Sequence, residues 1–123
     1  MAARRPSEGG AVPVEYMCLI YEADGATDGA EDVMPAYDAF AQEISANGVM
    51  RGANRLRPAS SATTVRIRGG KTSTTDGPFA ETKEQLGGYF ILECKDLDEA
   101  ISYAAKIPSA RFGSVEVRPI WPM

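Results

Sequence analysis

Two segments of this chain are apolar on both of their alternating sides, and that constrains the fold more than any other feature. In Val14 to Tyr21 the sets Val14/Tyr16/Cys18/Ile20 and Met17/Leu19/Tyr21 are both apolar, and in Leu86 to Cys94 Tyr89/Ile91 oppose Phe90/Leu92. Side chains on a strand alternate between its two faces, so a strand of this composition has to be covered on both. Segments with helical periodicity are too few to do that within one chain.

The rest of the sequence supplies the remaining elements. Val33, Tyr37, Phe40, Ala41 and Ile44 recur at three- and four-residue spacing and predict a first helix, with Asp32 as its N-cap, Pro35 in its first turn and Asn47-Gly48 as its stop. Strands are expected over Val49 to Leu56 and Thr63 to Arg68, followed by a turn at Gly69-Gly70 into an extended run from Lys71 to Thr75. Asp96 and Glu99 have the spacing of a capping box and open a second helix, whose Leu97, Ala100, Ile101 and Ala104 share a face and which Pro108 closes. The last strand, Val115 to Ile120, turns Val115 and Val117 one way and Glu116 and Arg118 the other. The order strand, helix, strand, hairpin, strand, helix, strand predicts an α+β domain, a ferredoxin-like antiparallel sheet with two helices on one face and an extra β-hairpin. The face left bare calls for a second copy's sheet, and hence a homodimer.

Of the 123 residues, 44% are apolar and 24% charged, which suits one globular domain over residues 14–123; residues 1–13 lack periodicity and read as a flexible tail. The net charge of -4 lacks the basic footprint that nucleic acid requires, and no apolar run is long enough to span a membrane. No apolar core of a secretion signal follows the first residues, which points to the cytoplasm. Cys18 and Cys94, inside apolar strand patterns, are expected to be buried free thiols.

The most distinctive stretch is Asp76-Gly-Pro-Phe-Ala-Glu-Thr-Lys-Glu-Gln-Leu-Gly-Gly-Tyr-Phe, a loop running into the best strand. With Tyr16-Met-Cys-Leu-Ile-Tyr21 and Gly113-Ser-Val-Glu-Val-Arg-Pro119, it makes the chain resemble the DGPF-motif branch of the YCII-related proteins from about Tyr16 to Ile120. The resemblance implies a dimeric α+β barrel, the fold class that also houses muconolactone isomerase-like enzymes. It leaves a regulatory role open as well, through a genomic link of some members to extracytoplasmic-function sigma factors. Some wider members carry a His-Asp pair proposed as catalytic; this chain has no histidine, so that pair does not carry over.

Read from its residues, Asp-Gly-Pro is turn chemistry, with Phe79 expected to anchor the loop in the core. The alternative is that Asp76, Glu81, Lys83 and Glu84 line a pocket at the dimer seam, where a carboxylate beside a cation serves proton transfer. Arg51, Arg66, Arg68 and Arg118 could hold a small carboxylate or lactone ligand, or could be solvated edge charges. Tyr21 and Tyr89 could wall a cavity or simply pack. The acidic loop Glu22 to Asp32 imitates the start of a calcium loop, but Ala26 stands at the third position and Pro35 at the twelfth, so a solvated loop is expected. No metal or cofactor signature is present in the sequence. Two functions follow: an isomerase or lyase-like proton-transfer enzyme with its pocket near the DGPF loop, or a non-catalytic ligand-binding or regulatory domain.

Overall fold

The computed structural model describes residues 12–122, so the tail expected over residues 1–13 lies almost wholly outside the described residues. Four strands form one antiparallel sheet: β1 (Val14–Glu22), β2 (Met50–Arg55), β5 (Gln85–Cys94) and β6 (Ser114–Pro119). Their order is β2-β5-β1-β6, so the two strands that are apolar on both sides lie at the centre and pair from Val14 opposite Cys94 to Glu22 opposite Gln85. β3 (Thr63–Arg68) and β4 (Lys71–Asp76) make a separate two-stranded hairpin. This is the expected ferredoxin-like arrangement with its extra hairpin.

Register decides which side chains meet the helices. Tyr16 lies opposite Leu92, Cys18 opposite Phe90 and Val117, and Ile20 opposite Val115. These side chains share the face covered by α1 (Val33–Ala46) and α2 (Leu97–Ala104), and the core closes around them with Phe40, Ile44, Ala100 and Ile107. Met17, Leu19, Tyr21, Tyr89 and Ile91 occupy the other face and are half-buried. Glu116 and Arg118 are on that face too, opposite Leu19 and Met17, as the alternation predicts.

Three local expectations need correction. Asp32 precedes α1 but makes no side-chain cap; its carboxylate pairs with Arg111 at 3.3 Å instead. On α2 the buried stripe is Ala100, Tyr103 and Ala104, while Leu97 and Ile101 are about half exposed, because this short helix leans on the sheet through its small residues. Phe79 does not anchor its loop: it is 78% exposed. The α2 start is as predicted, with Asp96 accepting from the Glu99 amide and Glu99 from the Lys95 amide, both at 2.9 Å. Gly48 follows the Asn47 cap with φ 69°, a conformation glycine adopts without strain.

Both cysteines are buried free thiols, and desolvation pushes each up to about 11. A thiol raised in the folded state stabilises the fold below its unfolded value of about 9. That contribution is lost as the pH climbs toward 11. Urea midpoints should therefore fall between pH 9 and pH 11, and Cys18→Ala should flatten that fall while leaving the pH 7 to 8 plateau flat.

Candidate functional site

β1 ends against three glycines, and their lack of a side chain shapes the end of the sheet. A Cβ on Gly113 would stand 2.1 Å from the Tyr21 carbonyl oxygen and 3.0 Å from the Glu22 Cα, so only glycine lets β6 begin beside this end of β1. A Cβ on Gly88 would stand 2.8 Å from the Asn54 carbonyl oxygen, on the neighbouring strand β2. Gly87 faces the Glu22 side chain, whose Cγ and Oε1 lie 3.9 Å from where its Cβ would be. The pairing of β1 with β5 also shifts by one residue between Ile20 and Tyr21. A bulge of this kind re-aims the side chains beyond it.

Beyond that shift lies a cavity of about 500 Å³, between the sheet's helix face and the start of α1. Ile20, Val33 and Phe90 supply apolar wall, and Glu22, Tyr37, Arg55 and Ser109 supply polar groups. Among the described residues the buried Glu22 Oε2 has no hydrogen-bond partner. Leaving a buried acceptor unpaired costs about 1–3 kcal/mol, which a ligand donor could recover. Tyr37 and Ser109 share a hydrogen bond of 2.6 Å. Burial raises the Tyr37 phenol above its ordinary value, with Glu22 pushing the same way and the Ser109 bond and Arg55 opposing. The phenol thus keeps its proton at neutral pH. The two hydroxyls hold two protons between them and use one in their mutual bond, which leaves one to donate into the cavity.

The acidic loop expected to be merely solvated also walls the site. Its successive turns close with amide-to-carbonyl bonds from Ala26 to Ala23, Asp28 to Gly25 and Ala30 to Thr27, and Thr27 and Ala30 reach the cavity. A second, polar cavity of about 240 Å³ lies on the other side of Glu22, between this loop and Arg55 and Arg57.

The sequence-predicted residues fall in several places. Tyr89 lines the large cavity's rim, and its hydroxyl accepts from Asn54 at 2.7 Å. Tyr21 faces the open side of the sheet, with its hydroxyl 3.5 Å from Glu116. Asp76, Glu81 and Lys83 are exposed, and none of them lines either cavity. Glu84 accepts a 3.0 Å bond from the Ser114 hydroxyl and helps tie β6 to the start of β5. Arg51, on edge strand β2, pairs with Glu93 at 2.7 Å. Arg118, on the opposite edge strand, lies 3.9 Å from Glu116. Arg66 and Arg68 belong to the hairpin rather than to the main sheet. Of the motif, it is the Gly87-Gly88-Tyr89-Phe90 end that builds the cavity.

The model of the YCII-related domain matches residues 14–123. The chain belongs to the YCII-related family. A protein of Rhizobium meliloti (strain 1021), itself described only as uncharacterized, is 38% identical over 112 residues, covering 85% of this chain and 90% of that one. Among the described residues of this YCII-related chain, no group of three or more His, Cys, Asp or Glu side chains is placed to hold a metal ion. None of its described helices is long and apolar enough to cross a membrane.

If Glu22 is kept for function rather than for folding, removing its charge should help the fold. Glu22→Met, apolar and of similar length, is expected to stabilise the protein by about 1 kcal/mol in urea denaturation. A loss of stability of that size would instead show that the carboxylate holds the end of β1 in place.

Proposed function

We propose that this YCII-related protein is a small-molecule proton-transfer catalyst of the isomerase or lyase type, with Glu22 as its base. The observation that carries the reading is the buried Glu22 oxygen without a partner, on the wall of an apolar cavity that also presents the Tyr37–Ser109 hydroxyl pair. A carboxylate is the natural base in a chain without histidine. In this reading the substrate is a small carboxylate or lactone whose carbonyl oxygen accepts from the hydroxyl pair. Glu22 takes the proton from the adjacent carbon, the electron pair moves onto that oxygen, and the hydroxyl proton stabilises the oxyanion. Return of the proton from Glu22 to a different carbon gives the isomer, while loss of a neighbouring leaving group gives the lyase outcome. The Asp76-Gly-Pro-Phe79 motif supports placing the chain in the DGPF branch of the family. Its loop stands outside the cavity, so the proposed base lies on β1 and not on that loop.

Proton abstraction is read directly by exchange. In deuterated water, 2-oxo-4-phenylbutanoate and α-angelica lactone should incorporate deuterium beside the carbonyl faster with protein than without it. Glu22→Gln should cut that rate by about 100-fold or more and Tyr37→Phe by less. Exchange unaffected by Glu22→Gln would remove Glu22 from the role of base.

A second reading rests on a different observation. Val65 and Ile67 on one side of the hairpin are 60% and 64% exposed, and Phe79 is also exposed. An apolar surface of this sort suits a non-catalytic regulatory domain that meets a protein partner, including one in extracytoplasmic-function sigma factor signalling. Ligand binding without any exchange would favour it.

The apolar residues on the sheet's open face support a homodimer in either case. Met17, Leu19 and Ile91 sit side by side at the centre of that face, with no helix of the described residues over them. Light scattering should give twice the 13.2 kDa of the chain, and Leu19→Glu should shift it to monomer with the helix-side core intact. A monomer for the unaltered protein would end the proposal.

A further inference from the structure

The two cavities are not independent. Both are lined by Glu22, Thr27, Arg55 and Gly87, so one site has a large apolar chamber and a small polar one, with Glu22 at their junction. The apolar chamber is about 500 Å³ and the polar one about 240 Å³. Such a division asks for a ligand with two ends. The large chamber suits a ring or branched hydrocarbon body, which gains by leaving water.

The polar chamber contains two arginines, Arg55 and Arg57, whose side chains, like those of Lys71, Lys83 and Lys95, have no carboxylate partner among the described residues but, unlike those lysines, line a cavity. Arg51, Lys106, Arg111 and Arg118 are each paired with a carboxylate of the chain. The side chains of Arg55 and Arg57 take part in no hydrogen bond or ion pair among the described residues. Asp28, on the opposite wall, does not supply the missing anion. Its Oδ2 is folded back over its own loop, 3.0 Å from where a Gly25 Cβ would be. Asp24 is exposed at the same rim and makes no ion pair with either guanidinium. A guanidinium meets a carboxylate through paired N–H donors, and these two offer an anionic group donors that the lining carboxylates Glu22, Asp24 and Asp28 do not take.

We infer that the ligand is an amphipathic carboxylate bound across both chambers, its carboxylate held by Arg55 and Arg57 and its apolar body against Val33 and Phe90. This deepens the proposed function, on which it rests, by choosing the carboxylate over the lactone and fixing which way round it lies. The carbon nearest Glu22 is then the one that links the anionic end to the apolar body. Where the acid also carries a ketone between its carboxylate and its apolar body, as a 2-oxo acid does, the carbon beside that ketone has the removable proton and the ketone oxygen accepts from the Tyr37–Ser109 pair.

Three probes with the same ring separate charge from shape: 3-phenylpropanoate, 3-phenylpropanamide and phenethylamine, titrated into the full chain by calorimetry at low salt. The carboxylate should bind at least about tenfold more tightly than the amide, and the amine should be the weakest. Arg55→Gln and Arg57→Gln should each remove most of the difference between acid and amide. Both residues are exposed, so the unliganded melting temperature should stay unchanged and show that the variants are folded. Equal affinities for acid and amide, or an acid preference that survives both substitutions, would overturn the inference while leaving the apolar cavity as a binding site. No binding by any of the three would sink the cavity reading along with it. Binding that rises in Glu22→Gln fits the inference as well, since removing a negative charge beside the anion favours it.

Discussion

The approach of Gly113 to the backbone of Tyr21 and Glu22 is the contact on which both the sheet and its cavity depend. With a Cβ 2.1 Å from a carbonyl oxygen excluded, no other residue can start β6 at this place. The cost of forcing a side chain in would be borne by backbone, which cannot swing aside as the end of a flexible side chain can. Gly88 imposes the same condition on the other flank, against Asn54 of β2. Between them the two glycines bring β6, β1, β5 and β2 together tightly at one end of the sheet. The register shift at Ile20/Tyr21 falls at this end of the sheet, just before Tyr21 and Glu22 resume the ladder opposite Leu86 and Gln85.

Much of the fold was legible because burial leaves a period in the sequence. The doubly apolar β1 and β5 took the two central positions, and the alternation of Val115 and Val117 with Glu116 and Arg118 correctly divided β6 between the two faces. The Gly69-Gly70 turn likewise joined β3 to β4 as local chemistry requires, with both glycines at positive φ. Where the reading failed, tertiary packing outweighed local pattern. Leu97 and Ile101 have helical spacing and larger apolar side chains than Ala100 and Ala104, yet the small residues are the buried ones, because close approach of α2 to the sheet favours them. Asp32 has the residue type of a cap, but a carboxylate can serve only one geometry at a time, and Arg111 claims it.

The candidate site was harder to read for a different reason. The motif drew attention to Asp76, Glu81, Lys83 and Glu84, which are charged and close together in sequence, whereas the cavity collects residues from five separate stretches. Glu22 in isolation looks like an ordinary polar residue at a strand end, and Ser109 looks like a loop residue. Only the glycines signalled the place. Gly87, Gly88 and Gly113 belong to the two segments that the sequence marks as distinctive; Gly87 and Gly113 lie against Glu22, and Gly88 against Asn54 and Arg55. A glycine pair opening a strand that is otherwise large and apolar is a sign of close backbone approach, and that is the cue from which the corner could have been inferred.

The division of labour between the two faces of the sheet follows from the same corner. The open face has flat, half-buried apolar residues at its centre and paired charges on its edge strands, a distribution suited to covering by another surface. The helix face is filled by side chains along most of its length and opens where α1 begins and where β5 has glycine instead of a side chain at 87 and 88. The empty volume is therefore a product of missing Cβ atoms and of the bulge. Among its polar groups Tyr37 and Ser109 are held by each other, with Ser109 at 2% exposure, while Arg55 is exposed to solvent. Glu22 is the exception, with one oxygen satisfied by nothing among the described residues. A fold that tolerates an unmet acceptor at its most constrained corner gives up stability there, and a gain elsewhere has to offset it. Under the proposed function, the partner of that oxygen arrives with a ligand.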